Sequence, residues 1–172
     1  GVSRNITEES LTKVLGGILK KYVQTRELET ALTNILDIIE RYFPHAFPCI
    51  MRYDSDEKAL ILLQETPKMP SSFKEILECP QKIDPSIGCC ALSIQSGNPI
   101  FIENVKHHKN YVGLESIISM CNMESSWAFP LLSQDQEPLG TLSLYFTKTE
   151  VHSEKKEKIL STIIPYISIL IA

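Results

Sequence analysis

Two short stretches of the sequence, residues 59–63 (ALILL) and 128–132 (AFPLL), carry no polar side chain. Apolar runs of this length, bounded by turn-forming residues, are typical of buried strands. Successive side chains of a strand point to opposite faces of its sheet, so a strand with one face in water alternates polar and apolar residues. Neither stretch alternates. The sequence therefore predicts a sheet that is covered on both faces, and the rest of the chain must supply two covers.

The sequence predicts five short strands in all, which are 48–54, 59–64, 99–103, 124–132 and 139–146. Polar turns at 54–57 (DSDE) and 133–138 (SQDQEP) join the first two strands and the last two. Strands joined by tight turns pair in the antiparallel direction. We therefore expect a central antiparallel sheet of five to six strands.

Amphipathic helices are predicted at both ends of the chain, where apolar residues recur three or four positions apart. Their ranges are 7–24, 25–43 and 153–172. Thr7, Thr25 and Ser153 stand at the starts of these helices, where a hydroxyl can accept a hydrogen bond from a backbone N–H. Pro165 lies inside the last helix and is expected to bend it or to remove one hydrogen bond. These helices are expected to cover one face of the sheet.

The middle of the chain, residues 66–122, is irregular and is expected to cover the other face. Short helices are predicted within it at 71–78, 88–96 and 111–120. Ser71 or Ser72 is expected to cap the first of these helices, and Gly97 ends the second. The predicted fold class is α+β, with terminal helices on one face of the sheet and short helices and loops on the other. A sheet roofed by short irregular segments is where a small-molecule cavity tends to form.

Charge and cysteine content argue against several kinds of partner. The chain of 172 residues suits one domain and has a net charge of −4, from 17 basic and 21 acidic residues. Nucleic acids and anionic membranes favour a basic surface, so we expect neither as a direct partner. The five cysteines form no zinc-binding pattern, and an odd number of scattered thiols is typical of a reducing compartment. The cysteine pattern therefore predicts no metal site. Because no signal peptide or membrane-spanning run is visible, we expect a cytoplasmic protein.

The two ends of the sequence suggest a part of a longer protein. The chain begins without an initiator Met and stops inside an apolar helical segment that has no stop signal. We therefore expect residues 1–172 to be a single domain, with residues 1–24 and 153–172 as helices that connect it to an output domain outside the chain.

Four segments in the second half of the chain together form a recognisable pattern. They are Ile87-Gly88-Cys89-Cys90-Ala91, GNPIFIEN (97–104), SWAFPLL (126–132) and LGTLSLYF (139–146). With the order of the predicted elements, they resemble the GAF family over almost the whole chain. The resemblance is to the GAF domains found beside PAS, GGDEF and EAL modules or histidine kinases in bacterial signalling proteins. Cys90 falls on the first Cys of the family pattern and Trp127 on its Trp, whereas Ser126 and Ala91 stand where the family often has Cys and Gly.

The resemblance implies a GAF/PAS-like fold and a sensory or regulatory function. Such a domain binds a small ligand or transmits a signal to an output domain such as a diguanylate cyclase or a kinase. Members of the family bind cyclic nucleotides, bilins, haem, small metabolites or no ligand, so the resemblance leaves the cofactor unknown. The patterns associated with cyclic-nucleotide and bilin binding are missing from this sequence. A ligand-free dimerisation module is an alternative with the same fold.

Six residues are candidates for lining a ligand pocket: Cys90, Trp127, Tyr111, His107, Met51 and Cys121. Cys90 is either a redox-active or ligand-attached thiol or a small buried apolar residue. Trp127 shares one strand face with Phe129, and it either lines the cavity or fills the core. His107 either faces the pocket or lies exposed in a loop.

Cys121 raises an enzymatic alternative. One branch of the GAF family is a free methionine sulfoxide reductase, which uses a Cys in the loop before the penultimate strand and a partner Cys near the start of the buried helix. Cys121 and either Cys89 or Cys90 lie in comparable regions, and a second thiol can resolve the product of thiolate attack on a sulfoxide. The acidic residues with which that branch holds its substrate have no convincing match here. We therefore expect this domain to have no catalytic residues.

The terminal helices carry more apolar surface than one face of a sheet needs. The first helix presents Leu11, Val14, Leu15, Ile18 and Tyr22, and the last presents Ile159, Leu160, Ile163, Ile164, Ile167 and Leu170. An unused part of this surface would form an exposed apolar patch. We expect a homodimer in which the terminal helices of two copies form a four-helix bundle. The alternative is that these residues pack on the sheet of their own domain.

Overall fold

The structure is a computed structural model that describes residues 8–172, and the predicted cap Thr7 lies outside the described residues. The helices in this part of the chain are α1 (Glu8–Thr25), α2 (Leu28–Tyr42), α3 (Ser71–Glu78), α4 (Cys90–Ser96), α5 (Glu115–Cys121) and α6 (Glu154–Ile171). The strands are β1 (Ala46–Asp54), β2 (Ala59–Glu65), β3 (Gln81–Lys82), β4 (Ile100–Ile102), β5 (Ser125–Leu132) and β6 (Pro138–Phe146). Two 3₁₀ turns, Val105–His107 and Lys109–Tyr111, precede α5.

The strands form one antiparallel sheet in the order β3-β2-β1-β6-β5-β4. β1 and β6 lie at its centre, and β6 pairs with β1 on one side and with β5 on the other. β3 is a two-residue strand in a segment that was expected to be a loop, and its Lys82 pairs with Ala59 of β2. The predicted α+β fold with an antiparallel sheet of five to six strands is confirmed.

α2 and α6 lie directly on one face of the sheet, and α1 packs against both of these helices. Their apolar core joins helix residues such as Leu32, Ile35, Ile39, Leu160 and Ile163 to strand residues such as Trp127, Phe129, Leu142 and Leu144. Lys158 Nζ lies 3.2 Å from Glu8 Oε2, so α1 and α6 begin at the same end of the domain. The two terminal helices therefore lie side by side, with α6 on the sheet and α1 packed against α6 and α2.

The short helices α3, α4 and α5, with the two 3₁₀ turns, cover the opposite face, and we call this layer the roof. A second apolar core lies beneath it and includes Phe47, Met51, Leu60, Phe73, Met123 and Tyr145. Both faces of the central strands are thus buried. This burial explains why residues 128–132 do not alternate with polar side chains.

Two predicted helix caps are wrong. Thr25 is the last residue of α1, and its Oγ1 donates a hydrogen bond to the carbonyl oxygen four residues earlier (3.0 Å). α2 begins after Glu27 without a side-chain cap. α3 begins after Pro70, and neither Ser71 nor Ser72 caps it. A hydroxyl near a predicted helix start is a weak indicator of a cap, because the start of a helix is defined only to within one or two residues.

The remaining predictions on helix boundaries differ less from the structure. Ser153 caps α6, since its Oγ accepts a hydrogen bond from the N–H of Lys156 (3.2 Å). α6 continues past Pro165 to Ile171, so the proline removes its own N–H donor without ending the helix. The helix expected from residue 111 begins later, after Gly113, whose φ of 88° lies outside the helical region.

Gly140 marks a close approach of β6 to β1 and generates a stability prediction. A Cβ on Gly140 would lie 2.0 Å from the Met51 carbonyl oxygen, whereas a Cβ on Gly17, in α1, would meet nothing within 4 Å. We expect Gly140→Ala to lower the free energy of unfolding by about 1–3 kcal/mol, because the two strands must separate. Gly17→Ala should raise it by about 0.5–1 kcal/mol. Urea unfolding of the two variants measures both effects, and a Gly140→Ala protein as stable as the wild type would contradict this strand packing.

Candidate functional site

A cavity of about 220 Å³ lies between the sheet and the roof. Met51, Leu60 and Tyr145 line it from the sheet, and Phe73, Leu77, Leu114 and Ile117 are among the residues that line it from the roof. Most of these side chains are apolar, and Cys89, Cys90 and Tyr111 add polar groups. An apolar cavity with a few convergent polar groups is the usual form of a small-molecule site.

Asn110 holds the loop that carries Cys89 and Cys90. Its Nδ2 donates hydrogen bonds to the carbonyl oxygens of Pro85 (3.1 Å) and Gly88 (3.0 Å). Its own carbonyl oxygen accepts a hydrogen bond from the Gly88 N–H (2.8 Å). Asn110 is buried, so water competes little for these bonds. The second 3₁₀ turn and the start of α4 are therefore tied together beside the cavity.

Hydroxyl groups of β6 face Cys90. Thr141, Ser143 and Tyr145 occupy alternate positions of the strand and point to its roof-facing side, and we call them the β6 hydroxyls. Cys90 Sγ lies 2.8 Å from Ser143 Oγ and 3.7 Å from Tyr145 OH. A hydroxyl that donates to sulfur stabilises the thiolate relative to the thiol. The strand thus offers Cys90 a set of neutral donors.

Cys89 has a different environment, although it is the adjacent residue. Its Sγ lies 3.0 Å from Ser126 Oγ in β5 and accepts a hydrogen bond from Tyr111 OH (3.6 Å). Cys89 is buried, whereas Cys90 is partly exposed to the cavity. Burial also raises the pKa of Tyr111, so its phenol stays protonated at neutral pH.

The surroundings divide the pair into one acidic thiol and one protonated thiol. The neighbouring Cys89 thiol is the largest cause that lowers the pKa of Cys90 to about 6, and the β6 hydroxyls lower it further against the opposing effect of burial. The neighbouring Cys90 and burial raise the pKa of Cys89 well above its usual value. Each sulfur has two hydroxyl neighbours, and the charge belongs on Cys90 because that sulfur is the less buried of the two. We therefore expect a thiolate at Cys90 and a thiol at Cys89 at neutral pH.

The structure separates the six candidate pocket residues. Met51, Cys90 and Tyr111 line the cavity. Cys121 lies at the end of α5 in the core beneath the roof but does not line the cavity, and burial raises the pKa of its thiol to about 11. His107 is exposed, and it lines a separate open depression of about 570 Å³ on the surface beside α5.

Trp127 lies on the helix-facing side of the sheet, away from the cavity. Its side chain is fully buried (0% exposed). Its ring centroid lies 5.8 Å from that of Phe43, 5.2 Å from that of Phe101 and 4.8 Å from that of Phe146. Within residues 8–172 its Nε1 has no hydrogen-bond acceptor. Trp127 is therefore a core residue and not a pocket residue.

Sequence reasoning missed Ser126, Ser143 and Asn110. A signal for Ser143 was present, because residues 139–146 place hydroxyl side chains at alternate positions of a strand that was expected to be buried. Buried polar groups are nearly always hydrogen-bonded, so such a row indicates polar partners on the facing layer. Asn110 offers no comparable signal, since it bonds backbone carbonyls that are 22 and 25 residues away.

Two kinds of feature are not found in the described part of the chain. No group of three or more His, Cys, Asp or Glu side chains is placed to hold a metal ion. None of the helices between residues 8 and 172 has the length and apolar character to cross a membrane.

A sequence comparison with protein families gives one match. The family described as "GAF domain" matches residues 25–172, which span the whole sheet, the roof and the helices α2 to α6. No curated protein matches the chain in sequence.

Solved structures with the same fold share little sequence with the chain. The GAF domain of a phosphoenolpyruvate-protein phosphotransferase (PtsP) from Coxiella burnetii has a TM-score of 0.76 at 17% identity, over 96% of this chain and 94% of that one. The free methionine-R-sulfoxide reductase from Neisseria meningitidis, in complex with its substrate, has a TM-score of 0.69 at 15% identity, over 95% and 89%. The phycocyanobilin-bound GAF domain of a cyanobacterial phytochrome has a TM-score of 0.71 at 16% identity, over 96% and 94%. At these identities the likeness establishes the fold alone.

The acidic thiol predicts a pH-dependent contribution to stability. The pKa of Cys90 is about 6 in the folded protein, and that of an unfolded cysteine is about 8.5. Between these values the unfolded chain binds more protons, so the stabilisation from Cys90 is complete above about pH 8.5 and is lost as the pH falls through about 6. We expect the free energy of unfolding of the wild type, relative to Cys90→Ser, to rise across this window by at most about 1.4 kcal/mol per pH unit.

Urea unfolding in the presence of a reductant measures this difference at a series of pH values. Cys79→Ser is the matched control, because Cys79 is exposed and free. The Cys79→Ser variant measures the effect of removing an exposed thiol outside the cavity. A pH-independent difference for Cys90→Ser would show that Cys90 has an ordinary pKa.

Proposed function

The chain belongs to the GAF domain family, and from that premise we propose that it is a sensory domain whose roofed cavity binds a small ligand. The observation that carries the proposal is the cavity of about 220 Å³ beneath the roof, where Cys90, Tyr111 and Tyr145 converge among apolar side chains. Drug-sized ligands occupy about 300–1,000 Å³. A smaller space favours a metabolite-sized molecule over a large cofactor.

The strand β6 supplies a route from this cavity to the helices. Its Tyr145 lines the cavity, and its Leu142 and Leu144 pack in the helix-facing core together with Leu160 and Ile163 of α6. A ligand that shifts β6 therefore changes the surface on which α6 packs. We propose that α1 and α6 pass this change to an output domain, such as a diguanylate cyclase or a kinase, outside this chain.

The enzymatic alternative has one observation in its favour, which is the shared fold with a free methionine-R-sulfoxide reductase. It requires a nucleophilic thiol that meets a substrate. Cys121 does not line the cavity. Burial raises the pKa of its thiol to about 11, so only a small fraction of it is ionised at neutral pH. These properties support a domain that is not catalytic by that route.

We also propose that two copies pair through α1 and α6. Most of the apolar stripe on these helices serves the domain's own core, since Leu11, Leu15, Leu160, Ile163, Ile167 and Leu170 are buried. Val14 on α1 and Ile169 on α6 are 51% and 58% exposed, and Ile18, Ile164 and Ile171 are partly buried beside them. The unused surface is thus smaller than the sequence suggested, and the proposed dimer is correspondingly weaker.

Filling the cavity tests ligand binding. Ile117 lines the cavity from α5, whereas Met120 on the same helix is 40% exposed and lies outside it. We expect native mass spectrometry of the purified wild-type domain to show a bound metabolite, which Ile117→Trp loses and Met120→Trp keeps. The physical reason is that the larger ring occupies space that the ligand needs. A wild-type protein with no bound mass, and with no thermal stabilisation by a metabolite collection, would favour the ligand-free module.

Charges on the exposed helix positions test the dimer. Val14→Lys and Ile169→Lys place a cation at an apolar contact without entering the domain's own core, so they should shift the equilibrium towards monomer. Val112→Lys is the control, because Val112 is 78% exposed in the roof, away from these helices. Light scattering at tens of micromolar protein measures the mass. A wild-type monomer at that concentration refutes pairing through the isolated domain.

A further inference from the structure

The two adjacent thiols at the start of α4 have the arrangement of an attacking and a resolving sulfur. Both thiols border the cavity. Cys90 is the less buried of the two and lies 2.8 Å from Ser143 Oγ, whereas Cys89 is buried with Ser126 Oγ 3.0 Å away. The two residues are adjacent in the chain, at the start of α4. A sulfur that reacts first must be reachable and charged, and the sulfur that follows must be close and protonated. The pair meets these conditions without any other cysteine.

Thr141 is the second observation that points to chemistry at this place. It is fully buried (0% exposed), and within residues 8–172 its Oγ1 has no hydrogen-bond partner of ordinary geometry. It lies on the same strand face as Ser143 and Tyr145, so its hydroxyl points to the layer that holds the Cys90 thiol. A buried hydroxyl without a partner costs about 1–3 kcal/mol. Extra negative charge or an added oxygen on Cys90 gives this hydroxyl an acceptor.

We infer that Cys89 and Cys90 form a peroxide-responsive dithiol, in which Cys90 is oxidised by a small hydroperoxide that enters the cavity and Cys89 resolves the product. In the first step the Cys90 thiolate attacks the distal oxygen of ROOH, the O–O bond breaks, and the leaving alkoxide takes a proton to give ROH and Cys90–SOH. In the second step the Cys89 sulfur displaces that hydroxyl, which leaves as water with the Cys89 proton. The hydroperoxide gains two electrons, and the two thiols become one disulfide.

Reversibility follows from the spacing of the two residues. Consecutive Cα atoms are about 3.8 Å apart, which is shorter than the usual span of about 4.4–6.8 Å across a disulfide. A bond closed between neighbours is therefore strained, and strained disulfides are easily reduced. Closing it also changes the backbone at the start of α4, next to the loop that Asn110 holds. This redox input goes beyond ligand sensing and does not require that the cavity bind a ligand.

The groups around Cys90 permit a thiolate without a cation. The titratable side chains that face it are Cys89, Cys49, Tyr111 and Tyr145, and burial keeps the last three protonated. Lys82 also lines the cavity, but its Nζ is 3.2 Å from Glu57 Oε2. At pH 6 about half of Cys90 carries charge, against well under 1% of an ordinary thiol. Its lower intrinsic nucleophilicity reduces that advantage to roughly tenfold in rate.

Peptide mass spectrometry after brief treatment with hydrogen peroxide tests the inference. Trypsin releases residues 83–106, which contain Cys89 and Cys90, and residues 75–82, which contain Cys79. At pH 6 we expect the first peptide to lose two hydrogens and to resist alkylation. Its oxidation should be roughly tenfold faster than that of the peptide with the exposed Cys79. Dithiothreitol should restore both thiols. Faster oxidation of Cys79, or added oxygen on the first peptide without disulfide formation, overturns the proposal.

Three variants separate the assigned steps. Cys89→Ser should accumulate a sulfenic acid at Cys90 that dimedone traps, and Cys90→Ser should leave Cys89 reduced. Ser143→Ala should raise the midpoint of the pH profile of Cys90 alkylation, an effect that a purely structural role does not produce. Circular dichroism confirms that each variant is folded. If the wild-type protein binds a ligand but forms no disulfide, this inference is rejected and the sensory proposal stands. If it forms the disulfide but binds no ligand, only the ligand-binding proposal is rejected.

Discussion

The alternation of side chains along β6 determines both the core and the site. Leu142, Leu144 and Phe146 point to the helices, while the β6 hydroxyls between them point to the roof. β6 also pairs with β1 and β5 through the centre of the sheet. A slip of one residue would place hydroxyls in the aliphatic core and leucines against Cys90. Each hydroxyl buried without a hydrogen-bond partner would cost about 1–3 kcal/mol. Both the helix-facing core and the site therefore depend on the register of this one strand.

The same alternation explains where sequence reasoning succeeds and where it fails. The unbroken apolar runs predicted a sheet buried on both faces, and the turns predicted its antiparallel pairing. Period two also showed that Trp127 and Phe129 share a face, and both belong to the helix-facing core. It did not show which face this is, because both faces of the sheet are buried. The choice depends on how Phe43 and Phe146 pack around the indole, which is long-range information.

The site was predictable to a similar extent. Cys90, Tyr111 and Met51 were candidates and border the cavity. The asymmetry between Cys89 and Cys90 was not predictable, since adjacent residues of the same type have the same local sequence. It arises from partners on different strands, Ser126 of β5 for one thiol and Ser143 of β6 for the other. The start of α4 thus places two chemically identical thiols in different surroundings.

The two covers of the sheet differ in how they can respond. The helix-facing cover consists of α1, α2 and α6 on a continuous core of large side chains. The roof consists of short helices, each of seven or eight residues, and two 3₁₀ turns, joined by a few bonds such as those of Asn110. Short elements with few buried contacts open at lower free energy than long packed helices. A change at the cavity or at the thiols therefore rearranges the roof before it moves the long helices. Because the roof and the helices pack on opposite sides of β6, what reaches α6 is the displacement of that strand.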